Sequence, residues 1–288
     1  MSSGNTIDLP EVQDRSGVIR RCGALPPDLT KVKASFGPGG TQYWEDANPN
    51  LVCTEAEIVK MLIANASTRT PRRKIFDNHW VIEGNQESQP SCNGWMTAMI
   101  ESELRWLRGI QDGLVLSGSY VYSLINGTAE GGSGQNGSAL VDDIQAMDQH
   151  GAPAASRCGP NMINRHQTKQ FDAEASAHKC LNWMPVKSLD GFWSALYWGA
   201  IGGSCLDANN AYANYSGSGI TPTGGGIGNH ANRVRDVEVY NGSLVGLAAN
   251  NWGLGWGLNG TGLVNSDTYA RPFQNHQFYV AFSTAEAD

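Results

Sequence analysis

The spacing of apolar residues changes part-way along the chain, and that change limits what it can fold into. Trp95, Met99, Ile100, Leu104 and Leu107 recur at three- and four-residue steps, the pattern of one helix face. A second helix is predicted from Ala139 to about Gln149, with Leu140, Val141, Ile144 and Met147 on one side. From about Val186 onward the helical period gives way to short β-type runs, near Val186 itself and at 193–201, 234–240, 244–249, 262–264 and 277–282. Asn241-Gly242 between two of these runs is a strong hairpin signal. The 35 glycines exceed the usual share of about 7%, so long loops are expected; residues 117–138 read as loop-rich, and 150–190 as polar and irregular. A helical first half followed by a β-rich second half predicts an α+β architecture of two lobes facing one another.

A chain of 288 residues can build one large core or two smaller lobes. Its net charge of −7 argues against unaided binding to nucleic acid or an anionic membrane. No run approaches the ~20 apolar residues of a membrane span. The opening Met1-Ser2-Ser3-Gly4-Asn5-Thr6 has neither a basic nor an apolar region, so a cytoplasmic or virion-associated location is expected over Sec-type secretion. The six cysteines (Cys22, Cys53, Cys92, Cys158, Cys180 and Cys205) are widely spaced with no C-x-x-C pair, and most are expected to be reduced. His178, Cys180 and Cys158 have poor spacing for zinc, and no metal or cofactor is expected.

Residues 1–74 read as a loosely built extension, interrupted by Pro26-Pro27 and Gly37-Pro38-Gly39-Gly40. One helix is predicted in it, from a Thr54/Glu57 capping box to about Ala66. Arg72-Arg73-Lys74 reads as solvated charge. Residues 75–288 would form the main domain, with a helical lobe over about 75–185 and a β-rich lobe over about 186–288.

Cys92 follows the turn-forming Gln89-Pro90-Ser91 and opens the first helical pattern. A thiol there feels the positive end of the helix dipole, which favours thiolate. By itself a cysteine is more often a small buried apolar residue. Glu101 and Glu103 on the same helix read as solvated, and Trp183, Trp193 and Trp198 as core.

Further on come Asn229-His230-Ala231 and the block Asn250-Asn251-Trp252-Gly253-Leu254-Gly255-Trp256-Gly257-Leu258-Asn259-Gly260. In the order Cys92, His230, Asn250, these segments resemble the papain-like (C1-type) cysteine peptidases, as a divergent member. The resemblance implies a two-lobe fold with the active site in the cleft between lobes, and a cofactor-free endopeptidase working through an S-acyl intermediate. Cys92 would be the nucleophile, His230 its proton partner, Asn250 the orienter of the imidazole and Trp252 its shield. Gln86 would join the Cys92 N–H in the oxyanion hole. Asn136, Gly137, Ser138, Asn229 and Trp252 would line the site of a protein or peptide substrate.

Ile75-Phe76-Asp77 resembles the family's mature start, and 199–208 a strand beside a specificity pocket. The chain departs from the family at Asn93-Gly94, where Trp usually follows the nucleophile, and at Gln89 and Gln135, where a disulfide pair is usual. Residues 1–74 lack the family's long proregion helices, and read as an atypical pro-segment or as an arm docking an assembly partner. Two other functions fit the residues: a structural or virion-associated protein keeping this fold, and a thiol amidase or acyltransferase acting on non-protein amides. The chain order and the Trp-Gly repeat favour the peptidase.

Overall fold

The structure, a computed structural model, describes residues 11–22, 24–25, 42–69, 84–110, 112–126, 137–179, 183–224, 228–275 and 278–283. Ile75-Phe76-Asp77, Arg72-Arg73-Lys74, Gln135, Asn136 and Cys180 lie outside them. The longer helices are α1 (Glu55–Ala64), α2 (Cys92–Leu107), α3 (Gly118–Asn126), α4 (Leu140–His150), α5 (Leu189–Tyr197) and α6 (Ser266–Asn275). The strands are β1 (Glu11–Gln13), β2 (Ile19–Arg21), β3 (Ala24–Leu25), β4 (Ser138–Ala139), β5 (Trp183–Pro185), β6 (Ile201–Leu206), β7 (His230–Tyr240), β8 (Ser243–Ala249), β9 (Thr261–Val264) and β10 (Tyr279–Ala281). A six-stranded antiparallel sheet runs in the order β5-β10-β6-β7-β8-β9, and the Cys92 helix packs against its β6 and β7 strands. The architecture is α+β, as the sequence pattern implies.

Local chemistry explains the elements. The Thr54 side chain caps α1 and Glu57 reaches back to the Thr54 N–H at 2.8 Å, a full capping box. Asn241 and Gly242 take φ of 49° and 80°, the left-handed pair that a tight hairpin between β7 and β8 needs. Two expectations fail for physical reasons, and one helix has no sequence signal. Residues 193–201 contain most of helix α5, not a strand. Ser188 caps it by accepting from the Gly191 N–H at 2.9 Å, and Phe192, Trp193 and Leu196 carry a helical spacing hidden in an almost continuous apolar run. Helix α3 occupies part of the expected loop 117–138; Gly118 to Ser123 are all buried, so no polar face marks its period. Helix α6 is polar in sequence and contains Pro272, but Asn265 and Thr268 cap it reciprocally and Tyr269 anchors it in the core.

Two cores flank the interface between the helices and the sheet. One gathers Met96, Ile100 and Leu104 of α2 with Val121 of α3, Ile144 and Met147 of α4, and Ile201, Cys205 and Ala231 of the sheet. The other joins Phe192, Trp193, Val234, Tyr269 and Phe278, and takes in Cys22, Trp44 and Ile58 from the N-terminal stretch. That stretch does not stand apart from the domain. Trp198, expected in the core, is 45% exposed and donates its Nε1–H to the Leu51 carbonyl at 2.9 Å.

Glu101 and Glu103 are not solvated either. Arg108 pairs with buried Glu101, while Glu103 is fully buried between Arg233 and Arg235, which share one face of β7. Burial pushes Glu103 up, but the two guanidinium charges outweigh it and hold the carboxyl below its ordinary range. A surface reading of α2 fails because the helix is buried on all sides through Leu104.

Candidate active site

Cys92 is the first residue of α2, a 16-residue helix, and is fully buried. The helix begins at the cysteine itself, three residues before the apolar period announces it. Gly94 makes this start compatible with its neighbour: a Cβ there would come within 2.4 Å of the Gly118 carbonyl oxygen. Gly118 is equally tight, since a Cβ on it would meet Trp95 Cα at 2.2 Å. Asn93 also has a definite role, donating from Nδ2 to the Ser138 carbonyl at 2.7 Å and so tying the cysteine's helix to the 137–138 loop. The Asn93-Gly94 departure is thus accommodated by close helix contact and a new hydrogen bond.

His230 opens β7, and Asn250 follows the end of β8. Because Arg233 pairs with Ala249 across these strands, Asn250 is carried alongside the imidazole. His230 Nε2 lies 2.7 Å from Asn250 Oδ1. The same oxygen accepts the Asn251 N–H at 2.7 Å, which identifies it as the amide's oxygen end. Oδ1 can only accept, so the neutral imidazole carries its proton on Nε2 and presents a lone pair at Nδ1. Nδ1 is buried with no hydrogen-bond partner among the described residues. Trp252 packs over the ring at a centroid distance of 4.5 Å, and Tyr212 meets it at 5.7 Å.

Asn251 joins the pieces. Its Nδ2 donates to the carbonyls of Cys92 (3.2 Å) and Ala231 (3.3 Å), and its Oδ1 accepts from Arg233 Nη1 at 3.1 Å. Its own carbonyl accepts the Gln86 N–H at 2.9 Å. The cysteine, histidine, asparagine and glutamine segments are therefore linked through one buried residue, by its side chain and its backbone, backed by the Glu103–Arg233–Arg235 cluster.

No family model and no curated protein matches the sequence. Solved structures do match. Digestive procathepsin L2 from Tenebrio molitor larval midgut aligns with a TM-score of 0.63 at 20% identity, over 91% of this chain and 78% of its own. The chain fold in the study of the mite allergens Blo t 1 and Der p 1 aligns with a TM-score of 0.59 at 16% identity, over 88% and 90%. Xylellain, a cysteine protease from Xylella fastidiosa, gives 0.55 at 13%, over 74% and 90%.

The chain has the papain-like fold.

Within that fold the cleft is covered by the chain's own N-terminal stretch. Arg21 offers its carbonyl oxygen to Gln86 Nε2 at 3.2 Å, and the same amide nitrogen donates to the Gln89 carbonyl at 2.7 Å. Ala24 donates its N–H to the Asn229 carbonyl at 3.0 Å, and β3 pairs in parallel with β4, Ala24 opposite Ser138 and Leu25 opposite Ala139. Arg20 locks this arrangement. Its buried guanidinium bridges Asp14 at 2.9 Å, donates to Asn85 Oδ1 and the Glu87 carbonyl at 3.1 Å each, and lies 6.0 Å from the Trp252 ring centroid. The Asp14 carboxylate also organises the β1–β2 turn by accepting from the Ser16 and Val18 N–H groups.

Desolvation under this cover lowers the His230 imidazole to about 4. The Asn250 hydrogen bond acts in the opposite sense, and the nearby Arg20 charge adds to the lowering.

Of the residues singled out from sequence, Cys92, His230, Asn250, Gln86, Trp252, Asn229 and Ser138 converge on one cleft. Gly137 sits at its edge, accepting from Asn126 Nδ2 at 2.6 Å, and Asn136 lies outside the described residues. Arg20, Arg21, Ala24, Asn93 and Asn251 contact these residues as well. No motif announces them; the Asn251 position alone stood inside a recognised block.

Proposed function

We propose that this protein is a cysteine peptidase that hydrolyses peptide bonds through Cys92, His230 and Asn250, and that residues 11–25 hold it in a latent state. The observation that carries the reading is the His230–Asn250 pair: an imidazole oriented so that a bare Nδ1 is available to a thiol proton. The Cys92 thiol at a helix N-terminus gives up its proton to Nδ1, and the resulting thiolate attacks the acyl carbon. The oxyanion that forms is held by the Cys92 N–H and by Gln86 Nε2. Protonated Nδ1 then passes its proton to the departing amine, leaving an S-acyl enzyme. Neutral His230 next takes a proton from water, whose oxygen attacks the thioester and releases the acid.

Two further observations support latency. Gln86 Nε2, the donor this mechanism assigns to the oxyanion, is engaged by a main-chain carbonyl of the protein's own chain. The likeness to procathepsin L2 covers more of the chain than residues 75–288 could supply, so it extends into the N-terminal stretch. A protein or peptide chain is the substrate class that fits a cleft whose walls already hold extended backbone through Asn229 and Ser138. The test is hydrolysis of a denatured protein substrate under reducing, mildly acidic conditions. Hydrolysis that disappears in Cys92→Ala is expected; hydrolysis unchanged by that substitution, or absent after release of the N-terminal stretch, would count against the reading.

A further inference from the structure

The contacts that seat the N-terminal stretch bracket one residue. Arg21 is held by Gln86 on one wall, and Ala24 is held by Asn229 and Ser138 on the other. Cys22 lies between these anchors, fully buried, and carries a thiol. Gln86 and Asn229 are the groups that flank the Cys92–His230 pair, so the bracket presents Cys22 to Cys92. Burial pushes the Cys22 thiol well up, and the charge of Cys92 adds to the shift.

We infer that Cys22 and Cys92 form a redox latch, in which a hydroperoxide converts the two thiols to a disulfide that covalently locks the N-terminal stretch over the active site. This rests on Cys92 being the nucleophile of the proposed peptidase, and it adds a regulatory state to it. The chemistry balances in two steps. The Cys92 thiolate attacks one oxygen of the peroxide, whose O–O bond breaks, giving Cys92 sulfenic acid and hydroxide (or an alcohol). The Cys22 sulfur then attacks the sulfenic sulfur; an S–S bond forms, the S–O bond breaks, and the hydroxide leaves as water with the Cys22 proton. Each sulfur is oxidised by one electron and the peroxide is reduced by two. A dithiol reverses the link by two exchanges. The latch would also keep Cys92 from further, irreversible oxidation, because Cys22 would resolve its sulfenic acid.

Cys205 is the rival partner, since it is buried in the same core as Cys92. It is held inside β6 opposite Ala231, whereas Cys22 sits on a stretch that has to move for substrate to enter.

The test uses the full chain. Treat it with hydrogen peroxide, block thiols with iodoacetamide, and map peptides without reduction. A Cys22–Cys92 crosslink that dithiothreitol removes is expected. In Cys22→Ser, and separately in Cys22→Ala, the same treatment should carry Cys92 on to sulfinic acid that dithiothreitol does not recover. Peroxide oxidation of wild-type Cys92 without a link to Cys22, or a Cys92–Cys205 crosslink instead, would overturn the latch. The readout is separate from catalysis: a crosslink in a protein with no hydrolysis in any state would keep the latch and sink the peptidase, while Cys92-dependent hydrolysis without the crosslink would do the reverse.

Discussion

Gln86 Nε2 donates a hydrogen bond to the carbonyl oxygen of Arg21 at 3.2 Å. The side-chain amide to which the proposed mechanism assigns the oxyanion is therefore occupied by a carbonyl of the same chain. The site is assembled but filled, and its consequences can be measured one residue at a time.

Arg20 is the anchor of the cover. Arg20→Ala removes the partner of Asp14 and the contacts to Asn85 and Glu87. Losing one member of a buried charge pair costs about 3–5 kcal/mol, and here the cost falls on closure. Turnover of a peptide substrate by Arg20→Ala is expected to exceed that of the unmodified full chain; equal turnover would show that Arg20 does not hold the cover.

The cover should loosen in acid. His230 sits at about 4 when covered and near its ordinary 6.5 once solvated, so the closed state binds fewer protons. Its contribution to closure is complete above 6.5 and is lost as pH falls toward 4. The most it can reach is about 3 kcal/mol, at about 1.4 kcal/mol per unit. Asp14 acts in the same direction at lower pH: its carboxyl is held below 3.8 because hydrogen bonds from Ser16 and Arg20 outweigh desolvation, so its support goes as pH falls through that lowered value. Amide protection factors over residues 20–24 should drop on the order of a hundredfold between pH 6.5 and 4. Flat protection would exclude the linkage.

Removing the amide should slow chemistry. In an Arg20→Ala background, Gln86→Ala is expected to lower kcat by roughly a hundredfold to a thousandfold, the usual cost of one oxyanion donor. Steady-state kinetics on a peptide amide checks it, and a change confined to KM would assign Gln86 to binding instead.

Gly94→Ala probes the start of the Cys92 helix. Its new methyl would press on the Gly118 backbone at 2.4 Å, and backbone cannot swing aside. Overpacking of this kind costs about 1–3 kcal/mol. Chemical denaturation should register that loss, and unchanged stability would mean α2 and α3 can separate.

Much of this site was legible in sequence because its chemistry is written in local motifs. The Cys92 helix, the Asn241-Gly242 hairpin and the Asn250–Gly260 block each carry residues whose backbone or side-chain demands are visible over a few positions. The cover was not legible. Arg20 meets Asn85 and Arg21 meets Gln86 only after the chain has folded back, and no periodicity spans that distance. Helices α3 and α5 were hidden for a different reason: burial on every side erases the polar face from which a helical period is read. Glu103 misled in the same way, since a carboxylate on a helix reads as solvated until two arginines on β7 are brought to it.

The most direct measurement is the rate of Cys92 carboxymethylation by iodoacetamide near pH 6, with Cys53 as the partly exposed reference thiol in the same molecule. Slow Cys92 labelling is expected in the full chain, labelling much faster than Cys53 in Arg20→Ala, and loss of that advantage when His230→Ala is added. Cys92 labelling no faster than Cys53 in the uncovered variant would contradict the proposed mechanism.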